Sequence, residues 1–432
     1  MQVKSAATGR GLGTWVLGQL RSGAWLHAAR VVGYGRLLLA LEIIAMIVLA
    51  AGTYGLIVPL DRPASTDFVS FYAAGYLADQ GTAALAYDQP SHRLAEQIVF
   101  GDANLPYDYW FFYPPTYLVY CALAAHLPYL VGFFAWGGVT GALYVFALRP
   151  ILTRREMLVA FLSFPSAIIA FGIGQNSFAT SAIFAAATYF IDRRPILAGA
   201  ILGALCYKPH FLLVTPVALL AGKHWRALGA MTAMVALCVA LSLLLYGWET
   251  WAAFLHLSRT ATTQTFETGK VGFAGLVSLF GAVRILGGAV PLAYAAQGVA
   301  TVVGCALAAV AWRQELSQPV RAMALIAGSL FAAPIILFYD LLPMTVAIAW
   351  LAQDARKTGF LPWEKTVLAI VWLVPLASRS IGVWAGIPLG PIATVGLLVL
   401  VARRVVLEQA ERRSATVGAI AASVAEAAPG SR

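Results

Sequence analysis

A single aspartate, Asp67, opens an aromatic stretch that follows the first long apolar segment of the chain. A carboxylate held among aromatic rings at a membrane interface is partly desolvated, which raises its pKa and makes it a better general base. Asp is also favoured at the start of a helix, so a simple N-cap explains the same position. The residue type and its surroundings therefore predict either a base or a helix cap at Asp67.

Polar and aromatic residues at two later points offer contacts suited to a sugar. Tyr113 precedes Pro114 and Pro115, and this segment predicts either the rigid wall of a sugar groove or a helix that begins with proline. Gln175 and Asn176 lie between two apolar segments. Their amides offer donors and acceptors for sugar hydroxyls, and an ordinary polar turn explains them equally well.

Two cations and one acid complete the candidates for a charged site. Lys208 stands between Tyr207 and Pro209 at the end of an apolar hairpin, where an unpaired ammonium is costly. This lysine can hold a phosphate as a point charge, or it can pair with an acid. Arg379 follows another short apolar segment and can bind phosphate through two parallel hydrogen bonds. Asp340 can partner either cation or bind substrate.

Metal and cofactor chemistry finds little support in the sequence. His126 and His210 have neither the spacing nor the companions of metal ligands, so packing at the core or the membrane interface explains them better. The four cysteines lie singly in apolar segments, without the pairing of zinc or redox sites. The chain contains no P-loop, no GxSxG and no HExxH sequence. We expect no cofactor, and only weak divalent-metal binding by loop carboxylates stays open.

The composition requires a membrane around the elements that position these residues. Of the 432 residues, 60% are apolar and 11% are charged, and the mean hydropathy is +0.79. Ordinary globular domains are about 45–50% apolar and about 25% charged. Apolar runs of about 20 residues recur along the chain, which is typical of transmembrane helices. The sequence therefore predicts an all-α fold class and a polytopic membrane protein.

The distribution of basic residues predicts the topology. Lys and Arg form short clusters between the apolar runs, as the positive-inside rule expects of cytoplasmic loops, and this distribution excludes nucleic acid as a partner. The rule places residues 1–36 and 405–432 in the cytoplasm as tails, with a multispan domain over 37–404. About twelve spans are predicted, over residues 37–58, 129–148, 157–174, 178–191, 196–207, 211–221, 227–246, 290–312, 321–338, 341–352, 366–378 and 387–402.

Two longer extracytoplasmic loops are predicted between these spans, over residues 59–128 and 247–286. The first loop is expected to contain amphipathic helices over Phe68–Asp79 and Ser91–Val99, with Ser91 as the N-cap of the second. It continues into a re-entrant or interfacial helix over Tyr113–Leu127, which is short for a span. The second loop has a possible surface helix over 271–286. All the candidate residues above fall on this outer side.

Five short motifs in this order, between Thr66 and Arg226, resemble glycosyltransferase family 87. They are Asp67 after the first span, Tyr87-Asp88, Tyr113-Pro114-Pro115, Gly174-Gln175-Asn176-Ser177, and Lys208-Pro209 followed by Pro216. The later half of the chain resembles the family only in the layout of its spans and in the pair Tyr339-Asp340.

The resemblance implies a GT-C architecture, a multispan helical enzyme whose active site lies outside the cytoplasm. Such enzymes transfer a sugar, commonly mannose, from a polyprenyl-phosphate donor to a glycan or glycolipid acceptor with inversion. That donor, that acceptor and membrane lipids would be the partners, and we expect the bacterial inner membrane as the location. Asp67 would be the general base, with Lys208 and Arg379 binding the donor phosphate. The expected sugar- or acceptor-binding residues are Tyr72, Asp88, Tyr113, Gln175, Asn176, His210 and Asp340.

A transporter or flippase of a lipid-linked saccharide is the alternative function. It predicts polar groups near the middle of the membrane, discontinuous helices and paired halves. The sequence shows no convincing internal repeat, and its polar candidates gather at one face. These features favour a transferase over a transporter. A third alternative, a purely structural scaffold, gives no role to the cations predicted on the outer side.

Overall fold

The part of the chain that the computed structural model describes, residues 8–52, 67–101, 105, 109–270 and 272–427, contains no β-strand, which confirms the predicted all-α fold class. Its helices are α1 (Thr8–Ser22), α2 (Ala28–Gly52), α3 (Asp67–Asp79), α4 (Gln89–Phe100), α5 (Leu118–Ala125), α6 (Tyr129–Leu148), α7 (Leu158–Leu162), α8 (Pro165–Ile173), α9 (Ser177–Phe190), α10 (Pro195–Gly203), α11 (Thr215–Ala221), α12 (Trp225–Ala261), α13 (Leu279–Ile285), α14 (Val290–Arg313), α15 (Gln318–Ala332), α16 (Met344–Thr358), α17 (Glu364–Ala385) and α18 (Gly390–Ala427).

Six of the described helices are long and apolar enough to cross a membrane, namely α2, α6, α12, α14, α17 and α18. A seventh span results if α7, with the turn before it, is counted together with α8, from which it is bent by 60°. The chain is thus a multi-pass membrane protein. Helices α15 and α16 have 15 residues each, a rise of about 22 Å, whereas the hydrocarbon core is about 30 Å thick. The count of about twelve spans stays a prediction.

The two predicted tails are helical over much of their length. α2 begins at Ala28, nine residues before the start of the predicted first span. Arginine is a good helix former, so Arg30 and Arg36 lie within the helix although they were used to mark the edge of the membrane. α18 runs through the predicted boundary at 404 and ends at Ala427. Parts of the predicted tails, first span and loops lie outside the described residues, at 1–7, 53–66, 102–104, 106–108, 271 and 428–432.

In the first predicted loop, α3 covers the range of the amphipathic helix expected over Phe68–Asp79, but the helix is buried on most of its faces rather than amphipathic. The N-cap predicted at Ser91 is wrong, because α4 begins earlier, at Gln89. Asp88 is the cap, and its carboxylate accepts hydrogen bonds from the Ser91 backbone N–H at 3.1 Å and from the Ser91 hydroxyl at 2.5 Å. Proline is well tolerated in a first helical turn, so Pro90 allows this earlier start.

The second predicted loop is helical over much of its first half. α12 continues past the predicted boundary at 247 to Ala261, with a break at Gly247, where φ is 74° and ψ is 170°. The surface helix expected over 271–286 is shorter, because the Ser278 hydroxyl accepts a hydrogen bond from the Gly281 N–H at 3.3 Å. This cap sets the start of α13 at Leu279.

Helix α15 forms the centre of the core and is buried from Val320 to Ala332. It packs against α14, α16 and α18. Gly304 and Gly328 face each other between α14 and α15, and a Cβ on either would lie 2.6 Å from the carbonyl oxygen of the other. This close approach leaves no room for a side chain at the crossing.

A buried arginine, Arg404, joins the last three helices. It donates hydrogen bonds from Nε to Glu364 Oε1 at 2.8 Å and from Nη1 to Asp354 Oδ2 at 2.9 Å. The Arg404 side chain is 1% exposed. A buried charge needs such partners, so this arginine, which contributes to the predicted topology, also holds α16, α17 and α18 together.

Gly75 sets the distance between α3 and α5. A Cβ at this position would lie 2.1 Å from the Cys121 carbonyl oxygen, so Gly75→Ala is expected to destabilise the protein by about 1–3 kcal/mol. Apparent melting temperature in detergent measures the effect. Gly138→Ala on α6 is the matched control, since its Cβ meets nothing within 4 Å and the change removes the poor helix propensity of glycine. Equal melting temperatures for the two variants would contradict the close approach.

Candidate active site

Asp67 is the first residue of α3, and its carboxylate meets the turn between α8 and α9. Gln175 Nε2 donates a hydrogen bond to Asp67 Oδ2 at 2.7 Å. Gly174 ends α8 with φ of 71°, and a Cβ there would lie 2.5 Å from the Cβ of Phe68. Glycine therefore serves both the left-handed cap and the close approach that brings Gln175 to Asp67.

The amide of Gln175 is oriented by three side chains. The Tyr113 hydroxyl donates to Gln175 Oε1 at 3.1 Å, and Gln175 Nε2 donates to the Tyr339 hydroxyl at 3.2 Å as well as to Asp67. Gln175 is 5% exposed. An amide whose oxygen and nitrogen both have partners is held in one orientation, so Gln175 can position the Asp67 carboxylate.

Lys208 pairs with Asp340 inside the protein. The distance from Lys208 Nζ to Asp340 Oδ1 is 2.5 Å, and each side chain is 4% exposed. Asp340 also accepts hydrogen bonds from the Ser177 hydroxyl at 3.5 Å and the Leu337 N–H at 3.3 Å. Of the two roles that the sequence allows for Lys208, the structure shows the pairing with an acid.

Three aromatic rings surround the ammonium of this pair. Its Nζ lies 5.8–5.9 Å from the ring centroids of Tyr113, Phe211 and Tyr339. A cation over aromatic rings is attracted by their electron-rich faces. Tyr113 therefore contacts both halves of the cluster, since its hydroxyl binds Gln175 and its ring faces Lys208.

Arg379 is the exposed cation of the cluster. It lies on α17 with its guanidinium carbon 5.9 Å from the Phe338 ring centroid. Within the described ranges it forms no ion pair or hydrogen bond. An exposed guanidinium of this kind is available to an anion from outside.

The environment of Asp67 raises the pKa of its carboxyl group. Burial raises the pKa of the Asp67 carboxyl above its usual value of 3.8, and the negative charge of Asp340 raises it further. The hydrogen bond from Gln175 and the charges of Lys208 and Arg379 lower the pKa and partly offset these effects. Burial is the largest cause, so the net shift is upward, as expected of a general base.

Two polar side chains beside the cluster have buried atoms with unused hydrogen-bonding capacity. Asn176 is fully buried, and neither amide atom has a partner with full hydrogen-bond geometry among the residues described, although the amide lies close enough to the Tyr113 and Tyr117 hydroxyls to interact with them. His210 packs against Phe211 with tilted rings whose centroids are 4.7 Å apart, and its buried Nε2 has no described partner. Such unmet capacity is costly in the absence of a ligand.

The structure separates two predicted site residues from this cluster. The Tyr72 hydroxyl donates to the Leu127 carbonyl at 2.7 Å, and Asp88 is an exposed helix cap. Tyr339 and Ser177 also contribute side chains to the cluster, although in the sequence each stands only within a family motif and was not among the predicted site residues. Their neighbours in the sequence, Asp340 and Asn176, were candidates, but only tertiary contacts give Tyr339 and Ser177 their partners.

No three His, Cys, Asp or Glu side chains of the described part of the chain group together as a metal site. The arrangement offers a carboxylate held by an amide, a buried ion pair and an exposed guanidinium. A base and an anion-binding group in one cluster suit the displacement of an anionic leaving group by a hydroxyl.

Comparison with known proteins agrees with this chemistry. The model of glycosyltransferase family 87 matches residues 111–338, which is more than half of the chain. This range includes Tyr113, Gln175, Asn176, Lys208 and His210. No match is found among the curated proteins or among the solved structures. The protein is therefore a membrane glycosyltransferase, and the chain belongs to glycosyltransferase family 87.

Proposed function

We propose that the protein transfers a hexose, mannose in particular, from a polyprenyl-phosphate donor to a glycan or glycolipid acceptor. The reaction inverts the anomeric carbon and takes place on the extracytoplasmic face of the bacterial inner membrane. The observation that carries the proposal is the hydrogen bond from Gln175 to Asp67 beside the exposed Arg379. The excess of basic residues between the apolar runs supports the orientation.

Asp67 is the base of this reaction. One carboxylate oxygen, Oδ2, accepts the Gln175 hydrogen bond, which leaves Oδ1 for the acceptor hydroxyl. As Asp67 takes the proton, the acceptor oxygen forms a bond to the anomeric carbon, and the bond from that carbon to the phosphate oxygen breaks. The electron pair leaves with polyprenyl phosphate. A single displacement of this kind inverts the anomeric carbon.

Arg379 stabilises the leaving phosphate. Its guanidinium is exposed at the cluster, and a fixed cation is worth most where negative charge develops in the transition state. Lys208 already neutralises Asp340, so its role is to hold that acid, and with it the Tyr113 and Tyr339 rings, in place. This division of roles gives the donor phosphate one primary cationic contact.

The function is tested by a transfer assay in detergent, with radiolabelled polyprenyl-phosphate-mannose and defined mannoside acceptors. We expect the wild-type protein to convert donor to product without a vesicle gradient. Arg379→Gln is expected to lower turnover about 100-fold, the effect of removing one group that stabilises developing charge. Arg356→Gln is the control, because Arg356 is an exposed cation on a different helix, α16.

The outcomes separate the two candidate functions. Movement of the donor across vesicles without its consumption would support the flippase instead. Equal turnover by the Arg379 and Arg356 variants would contradict the phosphate-binding role of Arg379.

A further inference from the structure

A pocket of about 260 Å³ lies beside α4, apart from the Asp67–Gln175 contact. One wall is aromatic and comes from Tyr87 and the segment Tyr109 to Phe111, and the opposite wall comes from α4. Its volume is just below the range of about 300–1,000 Å³ that is common for drug-sized ligands. A single sugar ring is a ligand of suitable size.

The α4 wall carries buried polar side chains whose capacity is not used. Glu96 is fully buried, and its oxygens accept no hydrogen bond within the described ranges. Its nearest partners are His92 Nε2 at 3.4 Å and Arg93 Nη1 at 3.6 Å. His92 is 4% exposed, and its Nδ1 also lacks a described partner. The neighbouring His92 and Arg93 side chains partly offset the cost of burying this carboxylate, and together the three side chains make the α4 wall of the pocket polar.

The same histidine does not form a nucleophilic triad. His92 Nε2 faces both the Ser70 hydroxyl, at 3.1 Å, and Glu96. A triad requires the acid on the other ring nitrogen, where it orients the imidazole for the nucleophile. The geometry is therefore that of a binding wall, in which Ser70 orients His92.

Two elements connect this pocket with the Asp67 cluster. Ser70 lies on α3 three residues after Asp67, on the same side of the helix, and it contacts His92 in the pocket. Phe111 lines the pocket and packs on Tyr113 with ring centroids 5.8 Å apart. Tyr113 in turn binds Gln175. The pocket is thus linked to the Asp67 cluster through His92 and Ser70 on one side and through Phe111 and Tyr113 on the other.

We propose that the pocket is an acceptor subsite that binds one neutral hexose unit of the glycan. The aromatic wall packs on the apolar face of the sugar ring, and the hydroxyls of the sugar face the polar wall formed by His92, Arg93 and Glu96. Aromatic walls with a few placed polar groups are typical of small-molecule sites. The inference rests on the proposed function for the identity of the acceptor, while binding itself does not require transfer.

Two variants test the subsite in the full-length protein. Trp110→Ala removes a half-buried ring of the pocket, which stacks on Phe112 with centroids 5.5 Å apart. Glu96→Gln replaces the negatively charged carboxylate of the polar wall with a neutral amide. Each is expected to raise the KM for a mannoside acceptor about tenfold, with kcat and the KM for the donor within about twofold. The controls are Trp384→Ala, which changes a 90% exposed ring, and Glu249→Gln, which changes an exposed acid.

A binding measurement separates the subsite from catalysis. Saturation-transfer NMR with methyl α-D-mannopyranoside is carried out on the protein in nanodiscs, and we expect a signal that the Trp110 variant loses and the Trp384 variant keeps. Unchanged acceptor KM in a folded Trp110 variant, or equal loss of kcat, would overturn the subsite. If the wild-type protein bound the mannoside but transferred no sugar, the proposed function would be refuted, while the assignment of the pocket as a sugar-binding site would remain.

Discussion

Replacing Asp67 with asparagine is expected to lower sugar transfer by about 10²–10⁴-fold, the usual contribution of a general base. Asparagine has nearly the same shape, and its side-chain oxygen can still accept the hydrogen bond from Gln175 Nε2. It cannot take a proton from the acceptor hydroxyl. The variant therefore keeps the hydrogen bond to Gln175 but cannot deprotonate the acceptor hydroxyl. The transfer assay with labelled donor measures the resulting loss of activity.

Stability distinguishes loss of the base from loss of the fold. Burial raises the pKa of Asp67 in the folded protein above the unfolded value. The contribution of Asp67 to stability is therefore complete below the unfolded pKa and is lost as the pH rises through the folded pKa. Asparagine carries no charge at any pH and does not have this pH-dependent penalty, so the melting temperature of Asp67→Asn should equal or exceed that of the wild type, and the difference should grow as the pH rises.

The pH dependence and a matched control complete the test of the base. Wild-type transfer should fall on acidification at a pH above the usual aspartate value, because protonated Asp67 cannot act as a base. Asp79→Asn makes the same change at an exposed position of the same helix and should leave transfer intact. Near-normal transfer by Asp67→Asn would contradict the assignment of Asp67 as the general base.

Replacing Lys208 with methionine is expected to have the largest effect on stability. The pair with Asp340 is almost fully buried, and removing one partner of a buried ion pair leaves an uncompensated charge that costs about 3–5 kcal/mol. Methionine retains most of the length and volume of the lysine stem. The expected drop in melting temperature therefore reports the unpaired Asp340 rather than a cavity.

The double variant Lys208→Met with Asp340→Asn supplies the control. With both charges removed, much of the lost stability should return, since neutral replacements of a buried pair are often tolerated. The asparagine oxygen can still accept the hydrogen bond from the Leu337 N–H. The single variant Asp340→Asn completes the cycle, and a loss in the double variant equal to the sum of the two single losses would show that the two side chains are not coupled.

Local patterns were sufficient to predict several elements of this structure. The aromatic segment after Asp67 predicts a helix from Phe68 to Asp79, and a helix covers this range, although it is buried on most faces instead of amphipathic. The start of α4 was wrong because two acceptable caps, Asp88 and Ser91, stand three residues apart. Propensity alone does not choose between them, whereas the observed hydrogen bonds do.

The number of spans is difficult to obtain from hydropathy alone. A protein core and a bilayer both favour apolar helices, so buried helices such as α15 have the hydropathy of a span without its length. The span predicted to end at residue 246 does end at a break, because Gly247 has a non-helical conformation within α12. The more polar residues 248–261, expected in a loop, form a further helical segment after that break, since polar side chains do not interrupt the backbone hydrogen bonds of a helix.

Composition, charge and short motifs in the sequence by themselves determined the class of this protein. They indicate an all-α membrane protein, the family, and Asp67, Gln175, Lys208 and Asp340 as candidates, because residue types and local spacing carry that information. Only the tertiary structure decided their partners. Gln175 meets Asp67 across 108 residues and Lys208 meets Asp340 across 132. Such pairings depend on helix packing, which no local spacing encodes, and they divide the cations into a buried partner for an acid and an exposed guanidinium.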